Sequence, residues 1–273
     1  MGFIPLAVLA SGSKYVRGEE IFTTSGTFTV PDGVHQISVV CVGGGGGGNA
    51  ANPGGNFIRG AGGAGLGWKN NISVTPGQSI SVVVGAGGDG GQLNPLVINN
   101  GLGFAGGDSY IIDTSTVVGR GGKSGTDISG GTFTGDGGGN GGNGGNSAGG
   151  GVGGGGGAGG YSGKGGNGAE KPLGEEVIPA EDGQGGAGGG GGYSSSGTGG
   201  AGGGVGIFSE GVSGTGGPFL QDGNPGSGGT DTTFGGAGRA SQGGTSGADG
   251  GNGAVRIIWG KGEVYPTPRN RML

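Results

Sequence analysis

Residues 22 to 48 read FTTSGTFTVPDGVHQISVVCVGGGGGG, and the junction between Val42 and Gly43 decides what kind of fold this chain can build. Ahead of it, Phe22, Phe28 and Val30 stand among threonines, the residue mix of a strand over Phe22–Val30. Pro31-Asp32-Gly33 is a turn signal, so His35–Val42 is read as the second strand of a hairpin. Ile37, Val39 and Cys41 alternate with Ser38, Val40 and Val42. The even positions turn apolar toward the end, so the strand is expected to be buried on both faces there. Past the junction the side chains stop for six residues.

The same unit returns downstream. A strand over Trp68–Val74, the turn Thr75-Pro76-Gly77-Gln78 and a strand over Ser79–Gly85 predict a second hairpin, and Ser109–Asp113 with Thr116–Arg120 a shorter third pair. Ala254–Trp259, AVRIIW, reads as a closing strand far away in sequence. Strands contributed by both ends imply one domain with a long insertion, about residues 121–253, rather than a β domain followed by a tail.

Composition limits the function classes. Gly supplies 91 of 273 residues, the one third of a collagen, but Pro is only 11 and runs such as Gly153–Gly157 break any single G-X-Y register. With 29% hydrophobic and 11% charged residues, the chain has neither the apolar stock of an ordinary enzyme nor the charge of a solvated tail. One His and one Cys cannot complete a zinc site or a disulfide within one chain. A net charge of -5 with scattered Lys and Arg gives no footprint for nucleic acid. Matches to G-x-G-x-x-G arise by chance at this glycine content, and the phosphate-loop pattern fails because Val117 stands where its first Gly belongs. No stretch approaches the roughly 20 apolar residues of a membrane span. Phe3–Ala10 is short, contains Pro5 and lacks a basic segment ahead of it, so it is read as an apolar docking arm.

Such a glycine content usually means a flexible linker. Two features predict order instead. Gly138-Gly139-Asn140, Gly141-Gly142-Asn143 and Gly144-Gly145-Asn146 repeat with the period of a threefold extended helix, and turn-like insertions such as Tyr161-Ser162 and Ser194-Ser195-Ser196 punctuate the runs. Without Cβ atoms, such helices can approach closely enough to hydrogen-bond sideways. The expected fold is therefore all-β: a small antiparallel β-sandwich or sheet formed by the N-terminal hairpins and the C-terminal strand, with a large polyglycine II helix bundle inserted.

Phe22–Gly48, the Val74-Thr75-Pro76-Gly77 turn with VVVGAGG at 82–88, and NGAVRIIWG at 252–260, in that order, resemble the glycine-rich domain of bacteriophage tail fibre proteins. More distantly the chain resembles the polyglycine II adhesins at the tips of T-even-type long tail fibres. The resemblance implies a non-enzymatic virion component for adsorption to the host surface, acting outside the cell. It implies other virion tail proteins and a host cell-surface receptor, a glycan or an outer-membrane protein, as partners, and a homotrimer, with no nucleic acid and no membrane insertion. An N-terminal attachment arm (1–20), a glycine-rich domain (21–260) and a C-terminal tail (261–273) follow. The alternative is a glycine-rich ice-binding protein of antifreeze type, which usually has a regular face and disulfides. Here the third positions follow no sustained rule and Cys41 is alone.

The expected sites follow from what interrupts the glycine. Glu175-Glu176 and Glu181-Asp182 lie on a Pro-broken loop where adjacent carboxylates face different ways, so they are read as solvated rather than as a catalytic pair. No catalytic, cofactor-binding or metal residue is assigned, and no cofactor. The interludes 93–104, 173–178 and 205–220 are expected to be loops at the ends of the glycine segments, where recognition normally sits. Phe104, Tyr161, Tyr193, Phe208, Phe219 and Phe234 are the candidate receptor contacts, with plugging of the segment ends as the competing role. Phe3, Ile4, Leu6, Val8 and Leu9 are the candidate virion-attachment residues.

Overall fold

The strand Gln36–Val42 (β3) is apolar on both faces, and this places it at the centre of the molecule. In the computed structural model, which describes residues 17–51, 58–93, 101–148, 151–224, 226, 233–242, 244 and 246–266, Ile37, Val39 and Cys41 enter one core while Val40 and Val42 enter another. Around β3 runs a five-stranded antiparallel sheet in the order Gly18–Phe22 (β1), Ala254–Trp259 (β12), β3, Leu66–Ser73 (β5) and Gly137–Gly139 (β10). The closing strand thus lies between β1 and β3, pairing Val255 with Cys41 and Ile257 with Val39. A second antiparallel sheet follows the order Gly26–Thr29 (β2), Ser79–Val83 (β6), Ser109–Ile111 (β7), Val117–Gly119 (β8) and Phe133–Thr134 (β9). Its Phe28, Ile80, Val82, Ile111 and Val117 meet Ile37, Val39, Cys41, Val255 and Ile257 of the first sheet in one core. A short parallel pair, Ala50–Ala51 (β4) with Ser241–Gln242 (β11), lies apart from both sheets.

Two expectations need correction. The inserted bundle of polyglycine II helices is not supported: the described residues form no helix, and the chain is all-β with two antiparallel sheets. Within the domain, the backbone of the stretch 121–253 pairs both with N-terminal glycines, as Gly45 with Gly251 and Gly63 with Gly142, and with itself, as Gly157 with Gly166. The first two hairpins also do not form. β2 pairs with β6 rather than β3, and β5 pairs with β3 rather than β6, so both Pro-Gly turns carry the chain across the sandwich from one sheet to the other. Turn residues specify a reversal, not the partner of the strand that follows. Only the third pair, β7 with β8, is a true hairpin.

Beyond the sheets, glycine segments prolong the strands and lie side by side. Gly43, Gly44 and Gly45 donate to the carbonyls of Gly65, Gly107 and Gly251, and Gly46, Gly47 and Gly48 repeat that rotation to Gly62, Phe104 and Ala248, at 2.8–3.1 Å. The buried run from Gly153 behaves alike. Gly153, Gly156 and Gly159 donate to Ile58, Ala61 and Ala64, while Gly154, Gly157 and Gly160 donate to Ala169, Gly166 and Gly163. A methyl group on Gly45 or Gly156 would overlap the carbonyl of Gly236 or Gly142, so side chains are excluded by the closeness of the backbones. Gly141, Gly142, Gly144 and Gly145 are buried whereas Asn140, Asn143 and Asn146 are exposed, so the triplets of the sequence mark one surface row.

The second core joins sheet to glycine field: Val40, Val42, Leu66 and Ile258 pack against Tyr161, Val205, Ile207, Phe234 and Tyr265. Arg256, 3% exposed, pairs with Glu19, donates to the Phe208 carbonyl at 2.7 Å and lies 4.8 Å from the centre of the Phe208 ring. The described chain enters and leaves at this end, where Arg17 meets Glu263 at 2.8 Å and Tyr265 N donates to Asn70 at 2.9 Å.

Candidate functional site

Following the chain from Val42 through Gly43 to Gly48 leads away from both sheets. The rungs farthest along, Gly153 to Ile58, Lys171 to Asn146, Ser194 to Val152 and Leu220 to Tyr193, define a distal end. The loops there carry Leu102, Phe104, Leu173, Val177, Ile178, Phe219 and Leu220, all exposed. Leu173 is 78% exposed, and Phe219 and Phe104 about half. In a chain this poor in apolar residues, leaving these outside is informative, since the core at this end is small, Ile58 with Val152 and Ala240. Other exposed large apolar side chains, Ile21, Ile112 and Val212, lie toward the sheet end.

The structure separates the six aromatic candidates. Phe104 and Phe219 lie on the distal surface. Tyr193, 5% exposed, sits beneath Phe219 with ring centres 6.2 Å apart and supports it. Tyr161 is fully buried near the sheets, stacked on Tyr265 at 6.0 Å, and its backbone carbonyl accepts from Trp68 Nε1 at 2.9 Å. Burial pushes its phenol well above the ordinary value. Phe234 is buried against Val205, and Phe208 lies under Arg256. Tyr161, Phe208 and Phe234 are thus packing residues at the sheet end. Phe3, Ile4, Leu6, Val8 and Leu9 lie outside the described residues.

Aromatic rings were the wrong signal for the rest of the distal surface. Its aliphatic members Leu102, Leu173, Val177, Ile178 and Leu220 fall within the interludes, and an isolated aliphatic between glycine runs marks a tip better than a ring does. The larger the side chain, the more a core-poor chain gains by burying it.

A groove of about 470 Å³ opens on the flank beside these loops, lined by residues from 126–129, 143–144, 167–170 and 178–181. Gly130 N donates to Asn143 Oδ1 at 3.0 Å, and Asn143 N donates to Asn167 Oδ1 at 2.9 Å. On the rim, Asp127 Oδ1 accepts from Ser129 N and Oγ, at 3.1 and 2.6 Å. The Ser129 hydroxyl, then its amide, hold the Asp127 carboxyl below the ordinary value. Opposite, Glu181 Oε2 accepts from Lys164 at 3.1 Å. Partial burial raises the Glu181 carboxyl, but the Lys164 ammonium and the Asn167 bonds outweigh it and leave the group lowered. Asp182 turns elsewhere, accepting from Gly216 N at 2.7 Å, so these neighbouring acids do not converge. Among the described residues no group of three or more His, Cys, Asp or Glu is placed to hold a metal ion. Cys41 is buried between the sheets, and burial pushes its thiol up.

A family model described as a glycine-rich domain matches residues 23–260. The chain belongs to the glycine-rich domain family. Comparison with curated proteins gives no match. The family's span begins directly after β1 and ends one residue beyond β12, so it takes in the second sheet, the glycine field and every distal loop. Among the described residues of this glycine-rich domain, no helix is long and apolar enough to cross a membrane.

Proposed function

We propose that this protein is a bacteriophage virion adhesin: a tail fibre or fibre-tip component, non-enzymatic, held in the particle by its sheet end and meeting the host surface with its distal loops. The observation that carries the reading is the separation of the two ends. Arg17 and Pro266, where the described chain enters and leaves, lie by the sheets, whereas Leu173, Phe219, Leu220 and Phe104 are displayed at the opposite end of a backbone-bonded scaffold. Loops on a rigid scaffold are where recognition residues concentrate, and exposed apolar side chains gathered at one end are the mark of an interface. The likeness of Phe22–Gly48, 82–88 and 252–260 to tail fibre domains supplies the biological setting. In this setting the partners are other tail proteins at the sheet end and a glycan or outer-membrane protein at the distal end, with three copies side by side in the fibre.

Competition for adsorption tests the reading. Soluble protein should block particle adsorption to host cells, and a Leu173→Asp/Phe219→Asp variant with unchanged Tm should not. Deleting Met1–Ser11 should abolish incorporation into particles and leave the domain folded. If the distal variant competes as well as the parent, the distal loops are not the recognition surface.

A further inference from the structure

The flank groove has hydrogen-bonding groups whose directions are already set. Because the side-chain oxygens of Asn143 and Asn167 are each taken by a backbone N–H, their NH₂ groups point the other way, each with two donors to offer. The acceptors are complementary. Asp127 uses Oδ1 for Ser129 and keeps Oδ2, and Glu181 uses Oε2 for Lys164 and keeps Oε1. Ile178 and Pro179 add an apolar wall, and Ile178 is 45% exposed. The volume, about 470 Å³, falls within the roughly 300–1,000 Å³ of small-molecule sites.

We propose that this groove is a subsite for a neutral saccharide, with Asn143 and Asn167 donating to its hydroxyls, Asp127 and Glu181 accepting from them, and Ile178 with Pro179 against its C–H face. A hydroxyl both donates and accepts, so a ring carrying neighbouring hydroxyls satisfies both rows at once. A phosphate or sulfate only accepts and would be repelled by the carboxylates. An ammonium only donates and would leave the amide NH₂ groups without partners. Three carboxylates, Asp127, Glu170 and Glu181, line the groove against two ammonium groups, Lys164 closed on Glu181 and Lys123 near Asp127, so the balance is negative and disfavours an acidic sugar. The source of the sugar, a host surface glycan, rests on the adhesin reading; binding itself does not.

The test uses the purified full chain without cells. Glucose, galactose, N-acetylglucosamine and their neutral oligomers, with sialic acid as the anionic control, are titrated by saturation-transfer NMR and calorimetry in EDTA. At least one neutral sugar should bind with a Kd in the ~millimolar range or tighter, and sialic acid should not. The Asn143→Asp/Asn167→Asp variant keeps the oxygens that hold the two backbone amides and replaces each NH₂ by an oxygen. It should lose about tenfold or more in affinity with Tm unchanged. Should that variant fail to fold, Ile178→Ser gives the same decision through a several-fold loss. Binding of none of the neutral sugars, binding of sialic acid alone, or full affinity in the variants would overturn the proposal. A chain that binds sugar yet fails to block adsorption would overturn the adhesin reading alone.

Discussion

In the sandwich, Val39 and its cross-strand partner Ile257 lie in one core with Phe28 and Val82, and the strands are held in register by what their side chains bury. In the glycine field, Gly156 buries nothing of its own. Its amide donates to Ala61 and its carbonyl accepts from Ala237 N at 3.2 Å. The first region is held by side chains and tolerates some change of shape. The second is held by their absence and tolerates almost none, because the neighbouring backbone already occupies the volume a Cβ would need. Ordering Gly also loses more conformational freedom than ordering any other residue, so the field requires the sheets as an anchor.

The contrast can be broken at four points, from the largest effect down. Gly156→Val should be the most damaging, at roughly 4–6 kcal/mol from overpacking together with lost and unsatisfied backbone bonds. That is comparable to the whole stability of many domains, and the expected outcome is no cooperative thermal transition. A normal melt would show that the segment yields. Phe28→Ala, fully buried in the sandwich, should cost roughly 3–4 kcal/mol by chemical denaturation while leaving a folded protein. Arg256→Met removes the clasp between β1, β12 and the Phe208 loop. The cost should be roughly 2 kcal/mol, below that of a fully buried pair because the Glu19 side chain stays 23% exposed. A larger loss than Phe28→Ala would make the clasp, not the core, the main link between the two regions.

The smallest effect is that of acid. Hydrogen bonds from Ser115 and Thr116 lower Asp113, those from Ser129 lower Asp127, and those from Asn70 N and Lys69 lower Asp136. A carboxylate lowered in the folded state contributes stability above its unfolded value and loses it as pH falls through the folded one. Tm should therefore stay level from neutral pH to the ordinary carboxylate range and decline only below it. All three groups are largely exposed, so the decline should be shallow.

Legibility in the sequence followed side-chain content. Ala254–Trp259, the β7–β8 hairpin and the double burial of β3 were readable because alternation and β-branching record which way residues face. The Asn of each GGN triplet falls on the surface for the same reason, as the one position of three with a side chain to place. Gly carries no such record. Neither the pairing of Gly43–Gly48 with residues as distant as Gly251 nor the merging of 121–253 with the N-terminal glycines could be read from a run of identical residues. The crossing of both Pro-Gly turns between sheets was hidden for another reason, since alternation shows that Phe28 and Ile80 face inward but not which strand lies beside them. At the candidate site, the interludes were visible but the roles of their rings were not. A chain short of apolar groups puts Tyr161 and Phe234 inside and leaves smaller Leu173 out.

The rotation of successive amides among three neighbours has a consequence for how such a chain can change length. In Gly43–Gly48 the bonding direction returns at every third residue. A gain or loss of one triplet would shift the run by a whole turn of that rotation and keep every later amide facing its own neighbour. A gain or loss of one or two would point them all at the wrong ones. Variation within the runs is thus quantised in threes, whereas the turns at the distal tip, which bear no such phase, can absorb any number of residues.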